Sequence, residues 1–299
     1  LSNVAPVKRI CPLSTAEVID KILLFSEKLA AIEYYAYQAV FARRLTESVL
    51  LCEGASISAL WARQVGKTET VSVVCVALAV LLPVLAKTFP DDPRFMSFAR
   101  GFMIGVYAPI DKQAKLPFNR MRKIVTSRRR EGTSEAPRGA DILEDPEIGV
   151  EVLTNRGDTL TFSNGSIIIS RTASPESQIE GETHHLVVCE ESQKLTRAKV
   201  EKEIRPMLAS TNGTCVNIGT AGTSRGGFHT TIQKNIEKHK RGGKRDHFEF
   251  TYKIVVEEKR RAYERDGNVF HLNYSKFIES EITRLGGDDS EEFKMNYLC

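Results

Sequence analysis

The sequence predicts an α/β fold with a mostly parallel central sheet flanked by helices. Three observations carry this. Short apolar strands alternate with helical segments along the chain. Those strands are apolar throughout, as in a sheet covered on both faces. The length of 299 residues suits one large core, or one domain with an appendage. Hydrophobic residues make up 41% of the chain and the net charge is only +4, so an ordinary globular protein is expected and the placing of charge matters more than its sum. The six cysteines (Cys11, Cys52, Cys75, Cys189, Cys215 and Cys299) form no C-x-x-C pair. They read as reduced thiols of a cytoplasmic protein, with no zinc site.

Residues 1–50 form an N-terminal helical segment in this reading, with an amphipathic helix over Ala30–Leu45. Ser56–Arg63 is a short apolar strand. Behind it, Val71–Ala86 (VSVVCVALAVLLPVLA) is shorter than a bilayer-spanning helix and contains Pro83, so it is expected as a buried helix; neither a membrane span nor a signal peptide is expected. Phe102–Pro109 is a second buried strand, followed by a basic helix over Asp111–Thr126 and an exposed loop over Ser127–Pro146. Alternating residues around Asn164-Gly165 predict a hairpin over Thr159–Ser170. Leu186–Cys189 and Thr214–Thr220 are core strands, each with a helical segment after it, and Phe248–Val256 closes the strand series. From Glu257 onward the chain reads as helical, charged and acidic. The division is therefore 1–50, a core over 51–256, and 257–299.

Chemistry concentrates at the carboxyl ends of the predicted strands, where ligands of such sheets bind. Gly66-Lys67-Thr68 is the tail of a phosphate-binding loop, although Trp61 stands where the first glycine of G-x-x-x-x-G-K-[ST] belongs. Strand, loop, G-K-T and helix is the arrangement in which backbone N–H groups and the helix dipole hold phosphate. Lys67 would reach the β- and γ-phosphates and Thr68 a magnesium ion. HHLVVCEESQ (His184–Gln193) is an apolar strand ending in two carboxylates. Glu190 can hold magnesium through water while Glu191 orients the attacking water. The six histidines show no ligand spacing.

With these motifs in place, the chain resembles the ATPase domain of the large terminase subunit, the DNA-packaging motor of tailed bacteriophages and related viruses. That family carries a deviant phosphate loop R-Q-x-G-K-[ST], often without the first glycine, and Arg63-Gln64-Val65-Gly66-Lys67-Thr68 matches it. YYAYQAVFARRL (Tyr34–Leu45) is similar to its adenine-recognition segment, which implies Gln38 as base contact with Tyr37 beside it. NIGTAG (Asn217–Gly222) takes the place of its coupling motif, which implies Thr220 as the link between hydrolysis and motion. EEFKMNYLC resembles the segment ahead of the family's nuclease domain, so 257–299 becomes a small helical lid or linker and the nuclease is expected outside this chain.

The resemblance implies a P-loop NTPase of the additional-strand, catalytic-glutamate type. It also implies magnesium-dependent hydrolysis of the ATP β–γ bond; Glu191 is expected to be catalytic, and Arg63, three residues before Gly66 on the loop itself, is expected to act on the γ-phosphate in cis. Implied partners are double-stranded DNA, a portal protein, a small terminase subunit and further copies in a ring, in the host cytoplasm at the procapsid. Two departures stand out. Glu190 replaces the usual Asp, and Ile179-Glu180-Gly181 stands where an Arg-Gly pair often occurs. A trans-acting arginine must then come from elsewhere, with Arg171 and Arg225 as candidates.

Two basic runs suit phosphate contacts to DNA: Lys112–Arg130, including Arg120, Arg122, Lys123, Arg128, Arg129 and Arg130, and Lys234–Arg245, including Lys240, Arg241, Lys244 and Arg245. The same runs suit solvated helix and loop surface equally well. EESQ also resembles helicase acidic motifs, but no Q-x-x-G-R pattern follows. A helicase-like translocase, or a nucleotide-gated DNA-binding or assembly module without turnover, are the alternatives.

Overall fold

The computed structural model describes residues 8–130, 132–179, 181–221 and 226–298. Eight strands form a single mixed sheet: β1 (Ser56–Trp61), β2 (Met103–Ala108), β3 (Val152–Arg156), β4 (Thr159–Phe162), β5 (Ile167–Thr172), β6 (Leu186–Cys189), β7 (Thr214–Gly219) and β8 (His247–Phe250). Their order is β3-β4-β5-β2-β6-β7-β1-β8. From β5 to β8 every neighbouring pair is parallel, and β3-β4-β5 is antiparallel. β7 therefore lies between the strand that enters the phosphate loop and the strand that ends in the paired carboxylates, which is the additional-strand arrangement. All residues of β6 and β7 are buried, so their apolar runs follow from being covered on both faces.

Helices α1 (Thr15–Ala30), α2 (Ala36–Leu50), α3 (Lys67–Thr88), α4 (Asp111–Thr126), α5 (Gly139–Leu143), α6 (Arg197–Lys199) and α7 (Gly227–Lys240) accompany the sheet. α8 (Tyr252–Asp266), α9 (Asn273–Arg284) and α10 (Glu291–Phe293) complete the chain. α3 is the core helix expected from the apolar run; 78% of its apolar window is buried inside the fold. Pro83 cannot donate to the carbonyl four residues earlier, that of Ala79. Asn164 Nδ2 (2.9 Å) and Ser166 Oγ (2.7 Å) donate to that oxygen instead. The predicted Asn-Gly hairpin thus docks where Pro83 frees an acceptor inside the core helix.

Four readings of the sequence change. The helix expected over Ala30–Leu45 begins only at Ala36, because the chain breaks at Ala31, which is left-handed at φ 53°. Before it lies α1, opened by a capping box in which Ser14 accepts from Glu17 N and the Glu17 carboxylate accepts from Ser14 N. The loop expected over Ser127–Pro146 contains α5, whose Gly139 approaches Ile124 O so closely that a Cβ would stand 1.8 Å from it. The strand expected over Phe248–Val256 stops at Phe250. Tyr252, Val255 and Ala262 bury one helical face while Ile254 is exposed, so β-branched residues here serve α8. The division at residue 256 accordingly falls inside a helix. β3 was not anticipated.

Candidate functional site

The phosphate loop leaves β1 at Trp61, which is a core residue: it is 1% exposed and packs edge-on against Tyr37, Phe41 and Phe250. The position of the missing first glycine is thus the last residue of β1, and the loop proper starts at Ala62. Gln64 (φ 64°) and Gly66 (φ 81°) both take left-handed backbone. A Cβ on Gly66 would lie 2.6 Å from Gln38 Nε2, so glycine is required twice over, by conformation and by space. Gly66 is the N-cap of α3, and the first N–H groups of that helix have no intrahelical acceptor. Ala62, Gln64–Glu69 and Arg120 line a cavity of about 310 Å³ at this helix end.

The start of α2 clamps the loop. Tyr37 Oη donates to Val65 O at 2.8 Å, and its ring is stacked under Tyr35 with centroids 5.8 Å apart. Gln38 is buried, with Oε1 accepting from Tyr35 N at 3.0 Å and the amide nitrogen set against Gly66. Both residues assigned to adenine recognition therefore touch the loop itself, and the Tyr37 hydroxyl is used in holding it.

Three strand ends meet beyond the loop. Lys67 Nζ donates to Gly219 O at 3.2 Å, at the end of β7. Lys67 and the Thr68 side chain both lie close enough to the Glu190 carboxylate to favour its charged form. Glu190 directly follows β6, with its N–H on Tyr107 O at 2.8 Å. It is 5% exposed, and its Oε1 has no hydrogen-bond partner among the described residues. Burial lifts its pKa from 4.5 to about 7, opposed by the nearby Lys67 and Thr68 and reinforced by the neighbouring Glu191 charge. A buried carboxylate oxygen lacking a partner among the described residues, beside the Thr68 side chain at the N-terminus of α3, is a donor set that fits magnesium.

Glu191 is left-handed (φ 51°), which turns it away from Glu190. Its Oε2 accepts from Gln193 Nε2 at 2.8 Å and faces Lys194 Nζ at 3.5 Å. The same Gln193 nitrogen lies 3.2 Å from Thr220 Oγ1, so one amide bridges the second carboxylate and the end of β7. Sequence reasoning did not single out Gln193; its place two residues after the acidic pair was the only signal.

Arg63 is exposed, has no ion pair among the described residues, and is absent from the cavity lining. Its backbone is pinned by the C-terminal helices: its N–H donates to Asn296 O at 3.0 Å and its carbonyl accepts from Tyr274 Oη at 3.2 Å. Arg171 pairs with Asp158 and with Glu182 at 3.5 Å. Glu180, Gly222 and Arg225 lie outside the described residues.

Of the basic residues, Arg120 lines the loop cavity and sits 3.6 Å from Glu69. Arg122 bonds Asn155, Arg128 pairs with Glu144, and Arg241 pairs with Glu237 at 2.7 Å. Lys244 pairs with Glu47 and Glu53, and Arg245 lies 4.9 Å over the Phe248 ring. Lys123, Arg129, Arg130 and Lys240 have no ion pair among the described residues. α4 runs back from the carboxyl end of β2, and the second run precedes β8. Arg128–Arg130 and Lys240–Arg245 thus fall at the amino ends of the strands, opposite the phosphate loop.

No protein-family model matches the chain, and no curated relative does. Solved structures do. An arginine-to-alanine mutant of the large terminase ATPase domain of Thermus phage P74-26 superposes with a TM-score of 0.58 at 17% identity, over 91% of this chain and 95% of that one. The unmutated domain of the same phage gives 0.56 at 16% identity, with the same coverage. The chain has the fold of those domains.

Proposed function

We propose that this chain is the ATPase motor domain of a phage large terminase, hydrolysing ATP with magnesium to drive double-stranded DNA into a procapsid. The observation that carries the reading is the convergence of Lys67, Thr68 and the unpartnered, buried oxygen of Glu190 at the N-terminus of α3. The likeness of fold supports it.

In this reading the β- and γ-phosphates lie against the N–H groups that open α3, and Lys67 exchanges Gly219 O for phosphate oxygens. Thr68 and Glu190 would hold magnesium, which supplies neutralisation of the charge that develops on the phosphates. Glu191 accepts a proton from the attacking water and fixes its line of attack, once its bond to Gln193 is exchanged for one to water. Arg63, exposed and without an ion pair, swings in cis toward the γ-phosphate. Thr220 senses the state of Glu191 through Gln193 and passes it to the DNA-bearing parts of the molecule. The unpaired arginines and lysines at the amino ends of the strands would track the DNA backbone, which demands charge and no base readout. Portal protein, small terminase subunit and further copies in a ring are the partners this function requires, in the host cytoplasm.

Phosphate release measured with and without duplex DNA tests the proposal. Turnover that depends on magnesium and rises with DNA is expected. Nucleotide binding without any release would instead favour the gated module, a reading to which the engagement of Glu191 by Gln193 and Lys194 lends weight.

A further inference from the structure

Lys259, on α8, occupies an unusual setting. It is half-buried, and among the described residues no carboxylate lies within ion-pair distance of it. Its ammonium sits 4.5 Å from the centroid of Tyr35 and 5.8 Å from that of Tyr274, and donates to Tyr35 Oη at 3.3 Å. Both rings are tied to the phosphate loop. Tyr35 stacks on Tyr37, whose hydroxyl holds Val65 O, and the Tyr274 hydroxyl holds Arg63 O. The cation is therefore anchored, through two aromatic faces, to the loop on either side of Gln64. Burial pulls its pKa down, and the charge of Glu69, in the first turn of α3, is the influence that opposes this. Aromatic faces hold an ammonium by their quadrupole but do not neutralise it.

We infer that Lys259 is a nucleotide-binding residue, a cation that the C-terminal helices carry to the phosphates of a nucleoside polyphosphate bound at Gly66–Thr68. The polyphosphate supplies the counter-charge that no carboxylate of the described residues supplies at ion-pair distance. Lysine suits the task better than arginine: its compact charge on a flexible stem can slide off an aromatic face to reach a phosphate oxygen. This rests on the proposed function in requiring a nucleotide at the loop, and it adds what that reading lacks, a contact from the C-terminal helices that distinguishes bound from empty.

The test is calorimetric titration of the whole chain with ATP, ADP and adenosine, for wild type, Lys259→Met and Lys259→Arg. Methionine keeps the stem between the rings and removes the charge. The expected result is a Kd for ATP and ADP raised about tenfold or more in Lys259→Met, the scale of a lost charge-assisted contact. Adenosine affinity should be unchanged, and Lys259→Arg should recover most of the loss. A second measurement needs no variant: in wild type, ATP but not adenosine should protect Lys259 from amine acylation. ATP affinity in Lys259→Met within about twofold of wild type, or acylation of Lys259 unaffected by saturating ATP, overturns the inference. Wild type that binds no ATP at all would strike down the nucleotide site itself, an outcome separate from either of these.

Discussion

Glu190 offers a stability measurement in which the sign is fixed by its surroundings. Burial lifts its pKa from 4.5 to about 7, and one of its oxygens has no partner among the described residues. A carboxyl group that holds its proton more tightly in the native state stabilises that state fully below 4.5, and loses this contribution as pH rises through about 7. Above that, the metal-free protein bears the cost of a charged, buried group. At about 1.4 kcal/mol per unit the difference is about 3 kcal/mol. Glu190→Gln removes the titration while keeping the shape. In EDTA at pH 5 the two proteins should melt together. At pH 8.5 the variant should melt higher, by about 5 °C for a chain of this size. Magnesium should raise the wild-type melting temperature at pH 8.5 and leave the variant unmoved, because only the carboxylate gains a cation. Identical melting curves against pH in EDTA would show that Glu190 is solvated, and the argument from its burial would fail.

Other outcomes follow from the loop and its neighbours. Tyr37→Phe leaves Val65 O without its buried donor and should cost about 1–2 kcal/mol of stability, together with a higher KM for ATP; an unchanged denaturation midpoint and KM would remove Tyr37 from the clamp. Gln193→Ala cuts the bridge from Thr220 to Glu191, and stimulation of turnover by DNA should fall about fivefold or more; full stimulation would mean that coupling runs elsewhere. Arg63→Ala should lower turnover on the 10³ scale, about that of an arginine finger, and Arg120→Ala much less, although Arg120 is the one lining the cavity. The reverse ranking would put Arg120 on the γ-phosphate.

The parts of the site legible in the sequence are those built from contiguous residues. Phosphate binding needs backbone N–H groups in a row, so Gly66-Lys67-Thr68 after an apolar strand is visible as a string, as is the acidic pair after Leu186–Cys189. The sheet's buried strands were legible for a similar reason, since covering both faces forces uninterrupted apolar runs. β3 was not, because it is an edge strand with little of its surface buried and so shows no alternation. α8 was misread because a β-branched stretch carries the same residues whether its inward face repeats every second or every third position. α1 falls within the segment 1–50 expected to be helical, and Ser14 and Glu17 spell its start, which that broad reading does not use. Gln193 and Arg120 reach the site by tertiary juxtaposition alone, and no spacing along the chain reports it.

The central claim, that this is a hydrolysing motor site with Glu191 activating water, is tested most directly by one comparison. ATP binding and phosphate release are measured side by side for wild type and Glu191→Gln. The amide keeps the size and the hydrogen bond to Gln193's neighbourhood but cannot take a proton. Binding within about threefold of wild type, with turnover down by about 10²-fold or more, is the expected result. Turnover close to wild type in Glu191→Gln would contradict the account.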